Sequence, residues 1–195
     1  MTRTASLVFA LLLPLGANAA PETYNLDPTH TVPNFSVQHF GMSTVWGHFE
    51  RATGKVVLDM AAKSGSLEVK IPTATISTGD AKRPDGGRSR DDHLRSTDFF
   101  NVAEFPEMAY KSTRLAFAGD KVHSVEGTLT LLGVSKPVTL TVTAFNCGPN
   151  PGNKKAMCGA DLVGSIKRSD FGMKYGVPLV SDEVKLFIAV EGYKE

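Results

Sequence analysis

Val138–Ala144, with the sequence VTLTVTA, decides the fold class of this chain. Apolar residues alternate with threonines in this stretch, the apolar ones being Val138, Leu140, Val142 and Ala144. Strict period-two alternation is typical of a β-strand with one buried face, because successive side chains of a strand point to opposite sides. We therefore expect these four side chains to face an apolar interior and the threonines to face the other way.

The same alternation recurs along the chain, at Val56, Leu58 and Met60, at Leu67, Val69 and Ile71, at Val125, Leu129 and Leu131, and at Val184, Leu186, Ile188 and Val190. Further strands are expected within Phe35–Phe40, Met108–Phe117 and Ala160–Lys167, which gives about eight strands separated by turn-prone segments. The sequence predicts an all-β, antiparallel domain. Its apolar face can be covered by a second sheet or by closure into a barrel, and periodicity leaves both open.

The clearest break in the strand pattern is the charged stretch from Asp80 to Val102. Its segment RDDHLR predicts a short helical segment near residues 88–96, preceded by a Gly-rich loop. A helix this short is marginal alone, so packing must hold it. Leu94, Phe99 and Phe100 are the side chains expected to do so, with the aromatic rings plugging one end of the apolar interior.

The amino terminus reads as an export signal. Arg3 precedes an apolar run from Ala5 to Leu15, and Ala17-Asn18-Ala19 forms a small-x-small cleavage site. The run of about 11 residues is too short for a membrane-spanning helix, which needs about 20. We predict that residues 1–19 are a cleaved signal peptide and that residues 20–195 form a single domain.

Export decides how the two cysteines are interpreted. Cys147 and Cys158 flank a loop rich in Gly, Pro and Asn, and in an oxidising compartment the default is a disulfide that closes this loop. A metal pair lacks further nearby ligands, and a redox couple usually has CxxC spacing. The sequence therefore predicts a structural disulfide.

Charge and motif content favour binding over catalysis. Lys and Arg total 21 against 20 Asp and Glu, so the basic excess typical of nucleic-acid binding is missing. The five histidines show no HxxxH or HExxH spacing, which leaves a metal site to long-range convergence alone. Asp91-Asp92-His93 is compatible with an acid/base pair or with an Arg–Asp network capping the helix. Nucleophile-elbow, P-loop and dinucleotide-binding motifs are missing, so we predict no catalytic residue and no cofactor.

Six blocks of sequence, in order, resemble the YceI-like family of exported polyisoprenoid-binding proteins over essentially the whole chain after residue 19. They are Tyr24–His30 (YNLDPTH), Val37–His39 (VQH), Val45–Phe49 (VWGHF), Arg90–Phe100 (RDDHLRSTDFF), Gly127–Val134 (GTLTLLGV) and Lys167–Met173 (KRSDFGM). The resemblance implies an extended antiparallel, lipocalin-like β-barrel with a long apolar tunnel. It also implies a periplasmic carrier of isoprenoid quinones, polyprenyl phosphates or similar amphiphiles, linked to stress protection.

On this hypothesis the ligand's chain would contact apolar lining residues, for which we name Phe35, Val37, Phe40, Trp46, Phe49, Phe99 and Phe100. Its head group would meet polar residues at the opening, for which we name His30, Arg90, His93 and Arg168. Ordinary core packing and structural ion pairs are the alternatives for these two sets.

Two other functions stay open: an exported enzyme that acts on a lipid head group through a His/Asp pair, and a structural stress protein with a filled core. Among partners, the expected one is a long-chain lipid, while a homodimer through an exposed edge strand and transient contact with a membrane are also left open.

Overall fold

The structure, a computed structural model, describes residues 20–195. The predicted signal peptide, residues 1–19, lies outside the described residues. Eleven strands are present: β1 Glu22–Leu26, β2 Val32–His39, β3 Ser43–Phe49, β4 Thr53–Asp59, β5 Ser64–Pro72, β6 Ile76–Ser77, β7 Glu107–Ala118, β8 Lys121–Leu131, β9 Val134–Pro149, β10 Ala156–Lys167 and β11 Glu183–Lys194. The α-helix α1 spans Arg90–Arg95, and short 3₁₀ turns span Thr73–Thr75 and Arg168–Phe171.

The strands form one antiparallel sheet in the order β1-β4-β5-β7-β8-β9-β10-β11-β2-β3-β6. The sheet closes because β1 also pairs with β11. β1 and β2 pair with successive lengths of the same edge of β11, so they are two parts of one bent strand. In the same way, β3 and β4 are two parts of a second bent strand, and β5 and β6 are two parts of a third. The barrel therefore has eight strand positions, which confirms the predicted fold class.

The two ends of the barrel differ in their connections. The β4–β5, β7–β8 and β9–β10 turns lie at one end, here called the closed end. The β2–β3 and β8–β9 turns and the long connections 78–106 and 168–182 lie at the other, the open end. Among residues 20–195, no helix has both the length and the apolar character to cross a membrane.

The stretch VTLTVTA lies within β9 and faces the interior as predicted up to Val142. Val138 and Leu140 are buried, and Val142 packs against the core. The prediction for Ala144 is wrong, because the register between β9 and β10 shifts at this point and the bulge reverses the alternation. Ala144 is exposed, and Phe145 turns inward in its place.

The charged stretch forms the predicted short helix. Ser89 is its N-cap: its Oγ accepts a hydrogen bond from the Asp92 backbone N–H at 3.0 Å and donates to the Asp92 carboxylate at 2.8 Å. The Arg95 guanidinium donates to the Ile76 carbonyl at 2.8 Å and so ties α1 to β6. Phe100 is buried, and Leu94 and Phe99 pack against the core as expected.

The predicted disulfide is confirmed. Cys147 and Cys158 lie directly opposite each other on β9 and β10 and are bonded. Because both strands meet the β9–β10 turn at the closed end, the bond clamps the hairpin far from the open end.

Candidate functional site

The barrel encloses a cavity of about 530 Å³ that extends from its middle to the open end. This volume lies within the range of about 300–1,000 Å³ that ligand pockets occupy. Alternate residues of the surrounding strands form its wall, among them Pro33 and Val37 of β2, Val45 of β3, Val69 and Ile71 of β5, Met108 of β7, Leu129 and Leu131 of β8, Val138 and Leu140 of β9, Ile166 of β10, and Val184, Leu186 and Ile188 of β11. The alternation read from the sequence thus builds the cavity wall.

The closed end is packed. The interior cavity there is small, about 70 Å³, and is bounded by residues such as Tyr24, Leu58 and Phe145. Leu67, Leu162 and Val190 contribute to both cavities, so they form the floor of the larger one. The larger cavity therefore extends from this floor toward the open end.

Two polar groups of the inner cavity wall, the hydroxyls of Tyr110 and Thr31, are already hydrogen-bonded to the protein. The buried Tyr110 hydroxyl donates to the carbonyls of Val125 at 3.1 Å and Val138 at 2.9 Å, and burial raises the pKa of Tyr110 to about 12. The Thr31 hydroxyl donates to the Glu191 carbonyl at 3.1 Å. Among residues 20–195, no Asp or Glu borders this cavity. The interior therefore offers a molecule apolar contact and little free hydrogen-bonding capacity.

Arg168 lies in the wall near the open end and is 3% exposed. Its guanidinium donates to four backbone carbonyls of the 168–182 connection, at 2.8 to 3.2 Å, those of Met173, Tyr175, Val180 and Ser181. Burial lowers the pKa of Arg168 from its usual value. These bonds show Arg168 organising the loop at the opening.

Aromatic and charged groups meet at the opening itself. The His93 ring lies 4.9 Å from that of Tyr175 and 5.0 Å from that of Phe99, both edge-on, while its Nε2 is 2.8 Å from the Asp98 carboxylate. Arg90 donates from Nε to the Thr78 hydroxyl at 2.7 Å. Tyr175, His93 and Arg90 all border the cavity. An entering head group would thus meet aromatic rings and nitrogen-bearing side chains, with His39 bordering the same cavity beside Arg90 and His93.

Six of the seven predicted apolar lining residues border this cavity, namely Phe35, Val37, Phe40, Phe49, Phe99 and Phe100. Trp46 does not border the cavity, which corrects its predicted placement. Val45 and Phe49 of β3 point inward, so Trp46 points outward. Its ring packs on that of Phe187, with ring centres 5.1 Å apart. Whether the six contact a ligand stays a prediction.

Of the four predicted polar residues, Arg90, His93 and Arg168 lie at the open end. His30 does not lie at the open end, which corrects its predicted placement. It sits in the β1–β2 connection, where its Nδ1 is 2.7 Å from the Asp27 carboxylate, and this bond raises the pKa of His30. The Asp27–His30 pair braces the interruption between β1 and β2.

Sequence reasoning placed Arg168 at the opening but missed Tyr175 and Leu179 of the same 168–182 connection. Tyr175 and Leu179 border the cavity and are more than half exposed. Within the segment MKYGVPLV, the apolar residues Met173, Tyr175, Val177 and Leu179 alternate with Lys174, Gly176 and Pro178, and this period of two was the available signal. Gly176 and Pro178 interrupt it with turn-prone residues, so it does not predict a strand. Among the described residues, no cluster of three or more His, Cys, Asp or Glu side chains is arranged to hold a metal.

A closed antiparallel barrel with a largely apolar interior cavity beneath a loop-lined end is typical of the lipocalin-like class of structure. The YceI-like domain profile matches residues 24–192, and the chain therefore belongs to the YceI-like family. It is 36% identical over 193 residues to protein YceI of Escherichia coli O157:H7, covering 97% of this chain and 96% of that protein.

Solved structures agree with this assignment. A YceI protein of Campylobacter jejuni superposes with a TM-score of 0.67 at 28% identity, covering 81% of this chain and 90% of that one. A polyisoprenoid-binding domain from Saccharophagus degradans, implicated in plant cell wall breakdown, shares the fold with a TM-score of 0.62 at 18% identity, covering 88% of this chain and 98% of that one.

Proposed function

We propose that this protein is a non-catalytic carrier that holds the chain of an isoprenoid lipid inside its barrel. The observation that supports this most directly is the cavity of about 530 Å³, whose wall, among the described residues, is largely apolar and has no carboxylate. Such a cavity suits a long apolar molecule inserted lengthwise. The polyisoprenoid-binding domain with the same fold supports an isoprenoid as the ligand class.

Apolar burial supplies enough free energy for useful affinity. Burying on the order of 400 Å² of an isoprenoid chain at about 25 cal/mol/Å² gives a gross term near 10 kcal/mol. Immobilising the molecule and ordering its rotatable bonds subtract several kcal/mol. Micromolar or tighter binding is therefore expected without specific polar contacts along the chain.

The head group would remain at the opening. Arg90 borders the cavity there and carries more N–H groups than its two bonds to Thr78 use, so an acceptor such as a quinone carbonyl or a phosphate oxygen suits this position better than a cation. The Nε2 of His93 is taken by Asp98. The guanidinium of Arg168 is already engaged with four carbonyls and is less available.

The carrier is proposed to act in the periplasm after export. The amino-terminal sequence supports this location, and so does the Cys147–Cys158 disulfide, since such bonds persist in oxidising compartments. Storage, delivery and protection of lipids under stress all fit a protein that encloses its ligand.

Titration with an isoprenoid quinone tests the proposal. Leu140→Trp places an indole inside the cavity, whereas Thr141→Trp places the same group on the outer face one residue away. We expect uptake by the wild type and by Thr141→Trp, and a loss of at least about tenfold for Leu140→Trp because the ring takes the space of the chain. Circular dichroism is the control that establishes whether both variants are folded. Equal uptake by both variants would contradict binding inside the barrel.

The His93–Asp98 pair supports a second candidate, an enzyme acting on a lipid head group, because the two side chains are hydrogen-bonded at the opening. In the described part of the chain, however, the ring's hydrogen bond is to Asp98 and no hydroxyl or thiol nucleophile is bonded to it. Turnover of a lipid ester or phosphate by the wild type but not by His93→Gln would favour the enzyme.

A further inference from the structure

Several large apolar side chains at the open end project into solvent. They form what we call the apolar rim, made of Phe40, Met42, Tyr175, Val177 and Leu179. Met42 is 89% exposed and Leu179 is 64% exposed. Exposed apolar patches of this kind mark interaction surfaces, because leaving them in water is unfavourable.

The apolar rim is held in place by backbone hydrogen bonds between its two loops. The Phe40 N–H donates to the Leu179 carbonyl at 2.7 Å, and the Ser181 N–H donates to the Gln38 carbonyl at 2.9 Å. A bridge between His39 and Val180 adds to this connection. A surface held in this way can dock without a large cost in ordering its loops.

The two loops that carry the apolar rim contain few charged residues, which suits contact with a lipid surface. Between residues 38 and 46 and between residues 173 and 181, the only Asp, Glu, Lys or Arg is Lys174. The α1 side of the opening carries charges of both signs, including Arg90, Asp92 and Arg95, and is suited to water. A rim with one cation and no carboxylate complements a bilayer that contains anionic phospholipid.

Phe40, Tyr175 and Leu179 belong both to the apolar rim and to the cavity wall. We propose that the apolar rim inserts into the surface of a phospholipid bilayer and so joins the cavity directly to the membrane. The biological use of this contact rests on the proposed carrier function. A lipid chain could then pass from bilayer to barrel without crossing water.

The fluorescence emission of Trp46 reports whether the apolar rim has inserted into a bilayer. It is the only Trp of the chain, lies three residues into β3 from the rim hairpin, and is 56% exposed on the outer face. At about 3.3 Å per residue it is about 10 Å from the end of the strand, which is the depth of the headgroup boundary that Trp favours.

Vesicles of phosphatidylethanolamine with phosphatidylglycerol test the proposal by flotation. Met42→Asp removes the most exposed apolar side chain of the rim, and Met60→Asp makes the same change at the closed end. We expect the wild type and Met60→Asp to float with the vesicles and to show a blue-shifted Trp46 emission. Met42→Asp should partition at least about tenfold less.

Three results would overturn membrane docking: a wild type that stays with the soluble fraction, equal losses for both variants, or a stable dimer in light scattering that Met42→Asp dissociates. The last would make a second copy the occupant of the rim. Because Met42 does not border the cavity, quinone uptake by Met42→Asp should equal that of the wild type. Failed docking with intact uptake contradicts this inference alone, whereas failed uptake contradicts the proposed carrier function.

Discussion

Arg168 shows how a single buried side chain positions the opening. Its guanidinium satisfies four carbonyls of one connection, so a substitution leaves them without donors in a desolvated region. We expect Arg168→Met to lower the free energy of unfolding by about 3 kcal/mol or more, measured by urea denaturation. The neighbouring exposed Lys167→Met should change it by less than about 0.5 kcal/mol. Equal effects would show that the four bonds do not stabilise the loop.

The Asp27–His30 pair predicts a pH-dependent contribution to stability. Hydrogen bonds from His30 and Thr29 lower the pKa of Asp27 from 3.8 to about 2, so its contribution is present above about pH 4 and is lost as the pH falls toward 2. The pKa of His30 is raised above 6.5, so its contribution is present below 6.5 and is lost as the pH rises through the raised value.

Asp27→Asn should therefore destabilise the protein most between about pH 4 and 6.5, by about 1 kcal/mol, as measured by urea denaturation across pH. Below pH 2 the two proteins should converge, since Asp27 is then protonated. A difference that does not vary with pH would mean that the pair contributes no charge-dependent stability.

At the residue scale, period-two alternation predicts which strand residues face the interior, and it does so for Leu67, Leu140 and Leu186. The same rule gives the outward position of Trp46, because Val45 and Phe49 take the inward positions of β3. The position of His30 could not be predicted: the break between β1 and β2 lies partway along β11, and sequence alone does not show that this connection is a break within one strand position.

At the element scale, the Cys147–Cys158 disulfide clamps the β9–β10 hairpin at the closed end. Replacing both cysteines with serine should lower the free energy of unfolding by about 2–3 kcal/mol, from the entropy of a loop of 11 residues. Urea denaturation measures this loss. Quinone affinity should stay unchanged, because neither cysteine borders the large cavity. Loss of affinity with retained folding would show that the closed end influences the ligand.

The interruptions of the strands could not be predicted. Eight strands were expected and eight positions exist, but three are broken, near Ala52, between Leu26 and Val32, and at Thr73–Thr75. The bulge near Ala144 also has no sequence signal, because it arises from the pairing of β9 with β10. The short helix was predictable because its charge density and its Ser89 cap are local features.

Gly54 illustrates a constraint that appears only in three dimensions. A Cβ at this position would lie 2.0 Å from the Glu68 carbonyl oxygen of the neighbouring strand β5. Gly54→Ala should therefore force β4 and β5 apart and lower the unfolding free energy by about 2 kcal/mol or more, measured by urea denaturation. Gly41→Ala, whose Cβ would meet open space in a turn with φ of 68°, should cost only about 1 kcal/mol. A smaller loss at Gly54 than at Gly41 would contradict this view of the strand contact.

At the scale of the whole molecule, the sequence could not distinguish a filled barrel from a hollow one. The same apolar strand faces serve both, and the volume left inside depends on strand number and tilt together with the side chains. The structure combines a packed closed end with a cavity of about 530 Å³ at the open end. That asymmetry is what connects the fold to the proposed carrier function.

Mass spectrometry of an organic-solvent extract of the protein, purified from its native cells, tests the carrier function most directly. If the barrel holds an isoprenoid lipid, the extract should contain one long apolar molecule in near-equimolar amount, and Leu140→Trp should carry much less of it than Thr141→Trp. Repeated preparations without any apolar molecule, together with no uptake of added isoprenoid quinone, would contradict the proposal.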